Sequence, residues 1–484
     1  DQFFHYIIII ADSKSGIGYA IYGRFVTKMF GPDNRPTPAY AQRDGVDYVP
    51  MSTWRVFMIQ FLNIAGTGPI FGAIMGALYG PSAFLWIVFG CIFAGAVHDY
   101  ISGMISLRNG GASLPEIIGT YLGERTKRIM LVFTILLLIL VGAVFVSSPA
   151  LLLSDLTSSV PFMNLYFWIV VIFIYYIIAT LLPIDKIIGK IYPLFAFALL
   201  FMAVGLLIAL FVHWPSIPEF TDGINNLHPD KATTPIFPCL FITIACGAIS
   251  GFHATQSPLM ARCIKHEKYG RPIFYGAMIT EGIVALIWAA VASYFFFDPA
   301  SENEDLTVSA PKVVQIMSNR WLGTIGGVLA ILGVVAAPIT SGDTAFRSAR
   351  LIIADTLKYS QKKIMPRIYI AIPLFISALL LLIFNLSQPK GFAIIWGYFA
   401  WANQTLSVFT LWAITVYLVK NQKKYVTTLI PAFFMTVVSI TYLCAAPECM
   451  SLPVNIAYAV GFVTLMVAII WFVNWKKKYS RTLF

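Results

Sequence analysis

From Trp54 to Trp475 one apolar stretch follows another, twelve of them, each long enough to cross a bilayer. A hydrocarbon core about 30 Å thick takes roughly 20 residues of helix to span. Inside it, every backbone N–H and C=O has to be bonded within the protein. The chain therefore reads as an all-α integral membrane protein, and a soluble core is excluded. With one further segment at the N-terminus, the candidate spans are roughly 3–23, 55–79, 82–106, 129–153, 163–183, 191–213, 237–258, 272–297, 322–342, 368–386, 391–419, 426–445 and 455–474. That makes about 13 transmembrane helices, of which the first is interrupted by Asp12-Ser13-Lys14. Asp1 in place of a methionine points to a native N-terminus further upstream, and no cleavable signal peptide is visible.

A formal charge of +11 raises the question of nucleic acid. The basic residues, however, form no groove with interleaved aromatics; they punctuate the spans. Threading alternate loops to one side places 28 of the 33 Lys and Arg there, from Arg24 to Arg481. Lys231, Lys312, Arg320 and Lys390 fall on the other side, and Lys14 inside the first span. The basic side is cytoplasmic, which puts the C-terminus inside. The partner that this pattern demands is the lipid bilayer, with no nucleic acid. Apolar spans do not distinguish lipid-facing from partner-facing surfaces, so the oligomeric state stays open.

Cysteine chemistry is sparse. Cys91, Cys239, Cys246 and Cys263 read as small apolar fillers. Cys444 and Cys449 share a short outer loop, where an oxidising exterior would let them pair. No CxxC, HExxH or CxxCH spacing occurs, and no P-loop. The expectation is no cofactor, no metal and no catalytic residue; ATP drive would need a separate subunit.

Two spans break helical rules mid-membrane. The first carries Gly66-Thr67-Gly68-Pro69; the second carries Cys246-Gly247-Ala248-Ile249-Ser250-Gly251-Phe252-His253. Proline removes a donor, glycine lets the chain leave helical geometry, and irregular backbone at that depth survives only inside protein or against a wet cavity. Kinks, or small residues for close helix packing, are the plainer alternative. Yet each break opens a set of five spans, and the charge pattern makes the two sets enter from opposite sides. Interrupted segments at matching positions of inverted halves mark the substrate site of a secondary transporter. The chain then divides into 1–54, a peripheral N-terminal helix and cytoplasmic loop; 55–213 and 237–419, the inverted sets; and 426–484, two peripheral helices and a basic tail. Gly66, Thr67, Gly68, Pro69, Ser250, Gly251, Phe252 and His253 become the substrate-lining candidates, several of them through main chain.

Ionisable residues inside a membrane are expensive and mark pathways. Glu281 stands ten residues beyond Arg271, about 15 Å up a helix. There it serves either as a titrating carboxylate or as a permanently paired one. His98-Asp99 offers a proton relay or a structural link. Thr340-Ser341-Gly342-Asp343-Thr344 offers oxygen ligands for Na⁺, or the ordinary capping chemistry of a helix end. Asn403-Gln404 is polar glue or part of a pathway. Ser113, with Glu116 three residues on and Pro115 between, starts an amphipathic helix.

The stretch NIAGTGPIFGAIMGALYGPSAFLWIVFGCIFAGAVHDYISGMISLRNGGASLPEIIG (63–119) closely resembles the carbon starvation protein A family. So do GPDNRPTPAYAQRDGVDYVP (31–50) and FITIACGAISGFHATQSPLMAR (241–262). The resemblance extends over about residues 20–420. That family is similar to the amino acid–polyamine–organocation carriers, and the resemblance implies their five-plus-five inverted repeat, shared with the leucine transporter. It further implies an inner-membrane importer used when carbon runs short, taking up peptides or, in some members, pyruvate with protons. It points at the same GTGP and SGFH breaks and settles no proton-binding residue. Asp12-Ser13-Lys14 and a brief tail after Trp475 depart from the family pattern.

Together these readings predict an ion-gradient-driven importer of small peptides, with a proton-coupled pyruvate symporter as the alternative. Glu281 favours H⁺ and the Thr340–Thr344 cluster favours Na⁺. A transporter-like nutrient sensor is the alternative from another class, and the absence of a soluble signalling domain argues against it. A membrane enzyme finds no nucleophile or metal spacing in support.

Overall fold

The computed structural model describes residues 16, 18–182, 188–361, 363–388 and 391–482. Residues 3–15 of the first candidate span, with Asp12-Ser13-Lys14, lie outside the described residues. Among those described there are helices and loops, with no strand. The principal helices are α1 (Gly23–Phe30), α2 (Thr53–Ile64), α3 (Gly68–Ala77), α4 (Ser82–Arg108), α5 (Leu114–Leu122), α6 (Glu124–Leu156), α7 (Leu165–Leu181) and α8 (Ile188–His213). A short piece, α9 (236–243), is followed by α10 (Gly251–Ala261), α11 (Gly276–Phe297), α12 (Ala310–Leu357), α13 (Ile364–Ser387), α14 (Gly391–Lys420), α15 (Val426–Ala445) and α16 (Val454–Thr482). Nine helices among the described residues are long and apolar enough to cross a membrane, ten when α2 and α3 count as one bent span. This is a multi-pass α-helical membrane protein.

Both expected breaks are present. α2 and α3 meet at an angle of 54°. Pro69 lies in the first turn of α3, where its missing N–H leaves no ladder bond unmade; the proline starts the second half-helix and does not merely interrupt the first. The second break is longer, with 244–250 leaving the helix between α9 and α10. The two breaks touch. A Cβ on Gly68 would overlap the Cys246 side chain, and one on Gly76 the side chain of Ile244. On Gly72 it would stand 2.8 Å from the Thr243 carbonyl oxygen. Backbone cannot swing aside as a side chain does, so Gly72→Ala is expected to cost about 1–3 kcal/mol through overpacking. The melting midpoint of the detergent-solubilised protein should fall. Gly276→Ala, whose new methyl finds its nearest neighbour at 3.6 Å, should melt with the parent.

α12 corrects one expectation. The span expected to stop at 342 continues to Leu357, so Thr340–Thr344 is helix interior and not a terminus. Gly342 is no stop signal: it packs directly beneath the Tyr176 ring, in a space that any Cβ would fill. Continuing the helix buries Arg347 and Arg350, which the charge pattern had placed in a loop. They converge on the buried carboxylate of Asp47, with Arg347 Nη1 at 3.1 Å and Arg350 Nη2 at 3.3 Å. Burial pushes that carboxyl up, but the Arg350, Arg347 and Arg262 guanidiniums outweigh it and hold it below the usual carboxylate range. A second buried carboxylate, Glu267, accepts from Arg108 Nε and Nη2 at 3.0 and 2.9 Å and from the Asp33 N–H at 2.9 Å. These two acids fasten the 31–52 loop across the expected cytoplasmic ends of α4, α10 and α12.

Smaller expectations fare variously. Ser113 does precede a helix, α5, but its side chain makes no capping bond. α5 buries Leu114, Ile117 and Ile118. Cys444 and Cys449 are both free thiols.

Candidate functional site

Residues that the sequence singled out separately converge beside the second break. From α4, Asp99 accepts hydrogen bonds on both carboxylate oxygens: His98 Nδ1 at 2.7 Å on Oδ1 and His253 Nδ1 at 2.8 Å on Oδ2. His253 belongs to the first turn of α10. With Nδ1–H given to Asp99, its Nε2 faces Glu281 Oε2 of α11 at 3.5 Å. All four side chains are 0% exposed. The chain His98–Asp99–His253–Glu281 ends in a carboxyl group with no hydrogen-bond partner on either oxygen. An unpaired buried carboxylate is costly, and the usual escape is to take up a proton or another cation. Cys246 Sγ completes the group, in contact with the Ser250 hydroxyl at 3.6 Å.

Asn403 and Gln404 of α14 hold this break in shape. Asn403 Oδ1 accepts from the Ser250 hydroxyl at 3.0 Å and from the Phe252 N–H at 2.7 Å, capping the start of α10. Gln404 Nε2 donates to the Phe241 carbonyl of α9 at 2.8 Å. Of the two readings open from sequence, polar glue is the one these contacts fit. Asn403→Ala would leave a buried backbone donor and a buried hydroxyl unpaired, at about 1–3 kcal/mol each. A loss of that size in unfolding free energy, with Asn403→Asp nearer the parent because it keeps an acceptor oxygen, is the expected result.

The hydroxyl cluster of α12 sits against the other break. Ser341 Oγ donates to the Leu62 carbonyl at 2.8 Å, near the end of α2. Thr340 and Thr344 hydroxyls return to carbonyls of their own helix, Ala337 at 2.8 Å and Thr340 at 3.1 Å. Asp343 accepts from Tyr175 Oη at 2.7 Å and from Tyr192 Oη. Thus Ser341 faces α2, Asp343 faces α7 and α8, and none of Thr340, Ser341, Asp343 and Thr344 shares a hydrogen bond with the histidine–carboxylate chain. Around the first break, Gly66 lies under the Phe145 ring and Thr67, Gly68 and Pro69 are buried. Phe252 meets Phe145 edge to face, with centroids 6.2 Å apart.

Sequence reasoning passed over several members. Tyr175 and Tyr192 carry no signal beyond their place in apolar spans, and Cys246 reads as a small apolar filler. Gln60 and Asn63, three residues apart on α2, are fully buried with both amide ends unpartnered, as is the Thr67 hydroxyl. Two amides at that spacing within an apolar run were the available signal. Buried amides of this kind are costly to leave unpaired.

A cavity of about 590 Å³ lies on the expected outer side. Phe71 of α3 and Thr243 of α9 bring it to the edge of both breaks, and Trp396, Tyr442, Asp230 and Glu448 form part of its wall. His228 packs against Tyr79 with centroids 5.1 Å apart and the rings tilted by 38°. Burial holds His228 below its usual value against the pull of Asp230, so at neutral pH it does not offset the two carboxylates.

A family described as carbon starvation protein CstA matches residues 5–162, 154–320 and 297–442. An uncharacterized membrane protein of Haemophilus influenzae is 45% identical over 353 residues, 63% of this chain and 95% of its own length. The peptide transporter CstA of Campylobacter jejuni is 29% identical over 90% of this chain and 79% of its own. The pyruvate/proton symporter BtsT of Escherichia coli is 29% identical over 60% of this chain and 49% of its own. Among solved structures, a manganese transporter of Eremococcus coleocola shares the fold, with a TM-score of 0.58, 12% identity, and coverage of 90% of this chain and 99% of that one.

Proposed function

The chain belongs to the carbon starvation protein CstA family, and from that premise we propose that it is a secondary active transporter importing small peptides across the inner membrane during carbon starvation. In this reading 13 spans form a five-plus-five inverted core, 55–213 against 237–419, with the 1–54 and 426–484 segments peripheral and the C-terminus cytoplasmic. One observation carries it: two half-helix breaks, Gly66–Pro69 and 244–250, abut so closely that only glycine fits at Gly68. Freed backbone groups and half-helix ends at that depth bind substrate and coupling ion.

Protons are the coupling ion that the buried histidine–carboxylate chain supports, and a proton symporter is among the relatives. Sodium would use the Ser341–Leu62 region, where hydroxyl and carbonyl oxygens meet but no carboxylate shares those hydrogen bonds. For the substrate, Asp230 and Glu448 put negative charge in the outer cavity, which draws a peptide's ammonium end and repels a monocarboxylate. A proton-coupled pyruvate symporter is the second reading, favoured by the BtsT relative.

The test is uptake of labelled dipeptide and of labelled pyruvate by proteoliposomes, each with a proton gradient, a sodium gradient and neither. Saturable dipeptide accumulation under the proton gradient alone is expected. Accumulation of pyruvate alone would replace peptide with the monocarboxylate. No accumulation of either by folded protein would overturn the transport reading in favour of a transporter-like sensor.

A further inference from the structure

The groups beside the second break have a feature that proton binding does not require. Cys246, His253 and Glu281 each offer one ligand atom, and the three atoms lie within 4.8 Å of one another. Cys246 is 2% exposed and the other two 0%. His253 Nε2 and both Glu281 oxygens are without partners. Behind them, Asp99 accepts the Nδ1–H of His253 at 2.8 Å. A carboxylate in that position fixes the tautomer and turns the other ring nitrogen toward a metal.

We infer that Cys246, His253 and Glu281 form a binding site for a borderline-soft divalent cation of the Zn²⁺ type. Thiolate and imidazole select such ions over Mg²⁺ and Ca²⁺. Three protein ligands leave a fourth position open for water or another ligand. Bond lengths of about 2.0–2.3 Å put neighbouring donor atoms of a tetrahedral site roughly 3.5 Å apart. The set as it stands is slightly open and closes by a small shift. Cys246 can make that shift, because it lies in the non-helical 244–250 segment and drags no helix with it. On binding, the S–H bond of Cys246 breaks, its proton leaves to solvent and a metal–thiolate bond forms. The outer cavity reaches Cys239 and Thr243, the latter three residues before Cys246, and its Asp230 and Glu448 favour cations.

Metal binding stands independently of transport; its consequence rests on the proposed coupling role. A metal and the coupling proton claim the same Glu281 and His253, so a bound ion blocks proton-driven uptake.

The probe is Co²⁺ added to the purified full chain in detergent, read by near-ultraviolet absorption of the thiolate–cobalt bond. One equivalent is expected to produce the band. Cys246→Ser should abolish it and Cys239→Ser should keep it, with both proteins monodisperse. Because a buried Cys246→Ser protein could fail to fold, Asp99→Asn gives a second reading: the band stays and affinity drops by about 10- to 100-fold. No band in the parent protein, or a band that survives in folded Cys246→Ser, overturns the site. Zn²⁺ should then inhibit dipeptide uptake at the concentrations that displace Co²⁺; uptake unaffected by saturating Zn²⁺ overturns the regulatory consequence. A band without any uptake under any gradient leaves the metal site standing and sinks the transport reading.

Discussion

Glu281→Gln is expected to abolish uphill accumulation of substrate under a proton gradient while leaving exchange across the membrane measurable. Within the buried chain, Asp99 is fully occupied by two imidazoles, at 2.7 and 2.8 Å. Both of its oxygens are taken whatever the substrate does. Glu281 has no donor on either oxygen and faces an imidazole nitrogen 3.5 Å away, slightly beyond hydrogen-bond length. A small rotation joins them, and a proton can then pass between carboxyl and ring. Glutamine keeps the shape and the polarity and removes the exchangeable proton. Substrate should therefore equilibrate and never concentrate, a complete loss of the accumulation ratio. The readout is counterflow against gradient-driven uptake in the same liposomes. Retained accumulation in Glu281→Gln would exclude this carboxyl from coupling; loss of counterflow as well would make it a substrate or folding residue.

The spans and the two breaks were legible because their signals are local. Hydropathy marks the bilayer, and Gly66-Thr67-Gly68-Pro69 needs no partner to announce itself. Convergence is another matter. His253 and Asp99 are 154 residues apart, and sequence gave each a separate role, substrate lining for one and coupling for the other. Cys246 and His253 are seven residues apart across an unwound segment, so neither helical nor metal-motif spacing connects them. In the sequence Asp343 reads as part of a helix end, because the apolar run stops at 342 in a cluster of hydroxyls and one carboxylate. In the structure the Tyr176 ring packs on that glycine and the helix runs on to Leu357. The same continuation hid Arg347 and Arg350, which a loop-counting rule treats as solvated charges.

That hidden arginine pair carries the largest expected effect on stability. Asp47→Ala should destabilise the folded protein by about 3–5 kcal/mol, the usual result of removing one partner from a buried ionic group. Arg350 is 0% exposed and Asp47 3%, so water cannot replace the lost carboxylate. Arg347 still donates to the Leu182 carbonyl at 2.7 Å and Arg350 to the Gln361 side chain, but both acceptors are neutral and neither replaces the lost charge. Asp33→Ala, which removes an exposed partner of Arg35, should melt close to the parent. The pH dependence separates the two causes that a lower melting point would otherwise confuse. The folded-state carboxyl of Asp47 is depressed below an unfolded value of about 3.9. A depressed carboxyl contributes its stability in full above the unfolded value and loses it as pH falls through the folded one. The arginines around it keep their charge throughout. The gap between parent and Asp47→Ala should accordingly stay constant from pH 8 to pH 5 and narrow only in stronger acid. A gap that closed between pH 8 and pH 6 would assign the stability to a histidine-linked contact, and the buried Asp47–Arg350 pairing would not be what holds the 31–52 loop in place.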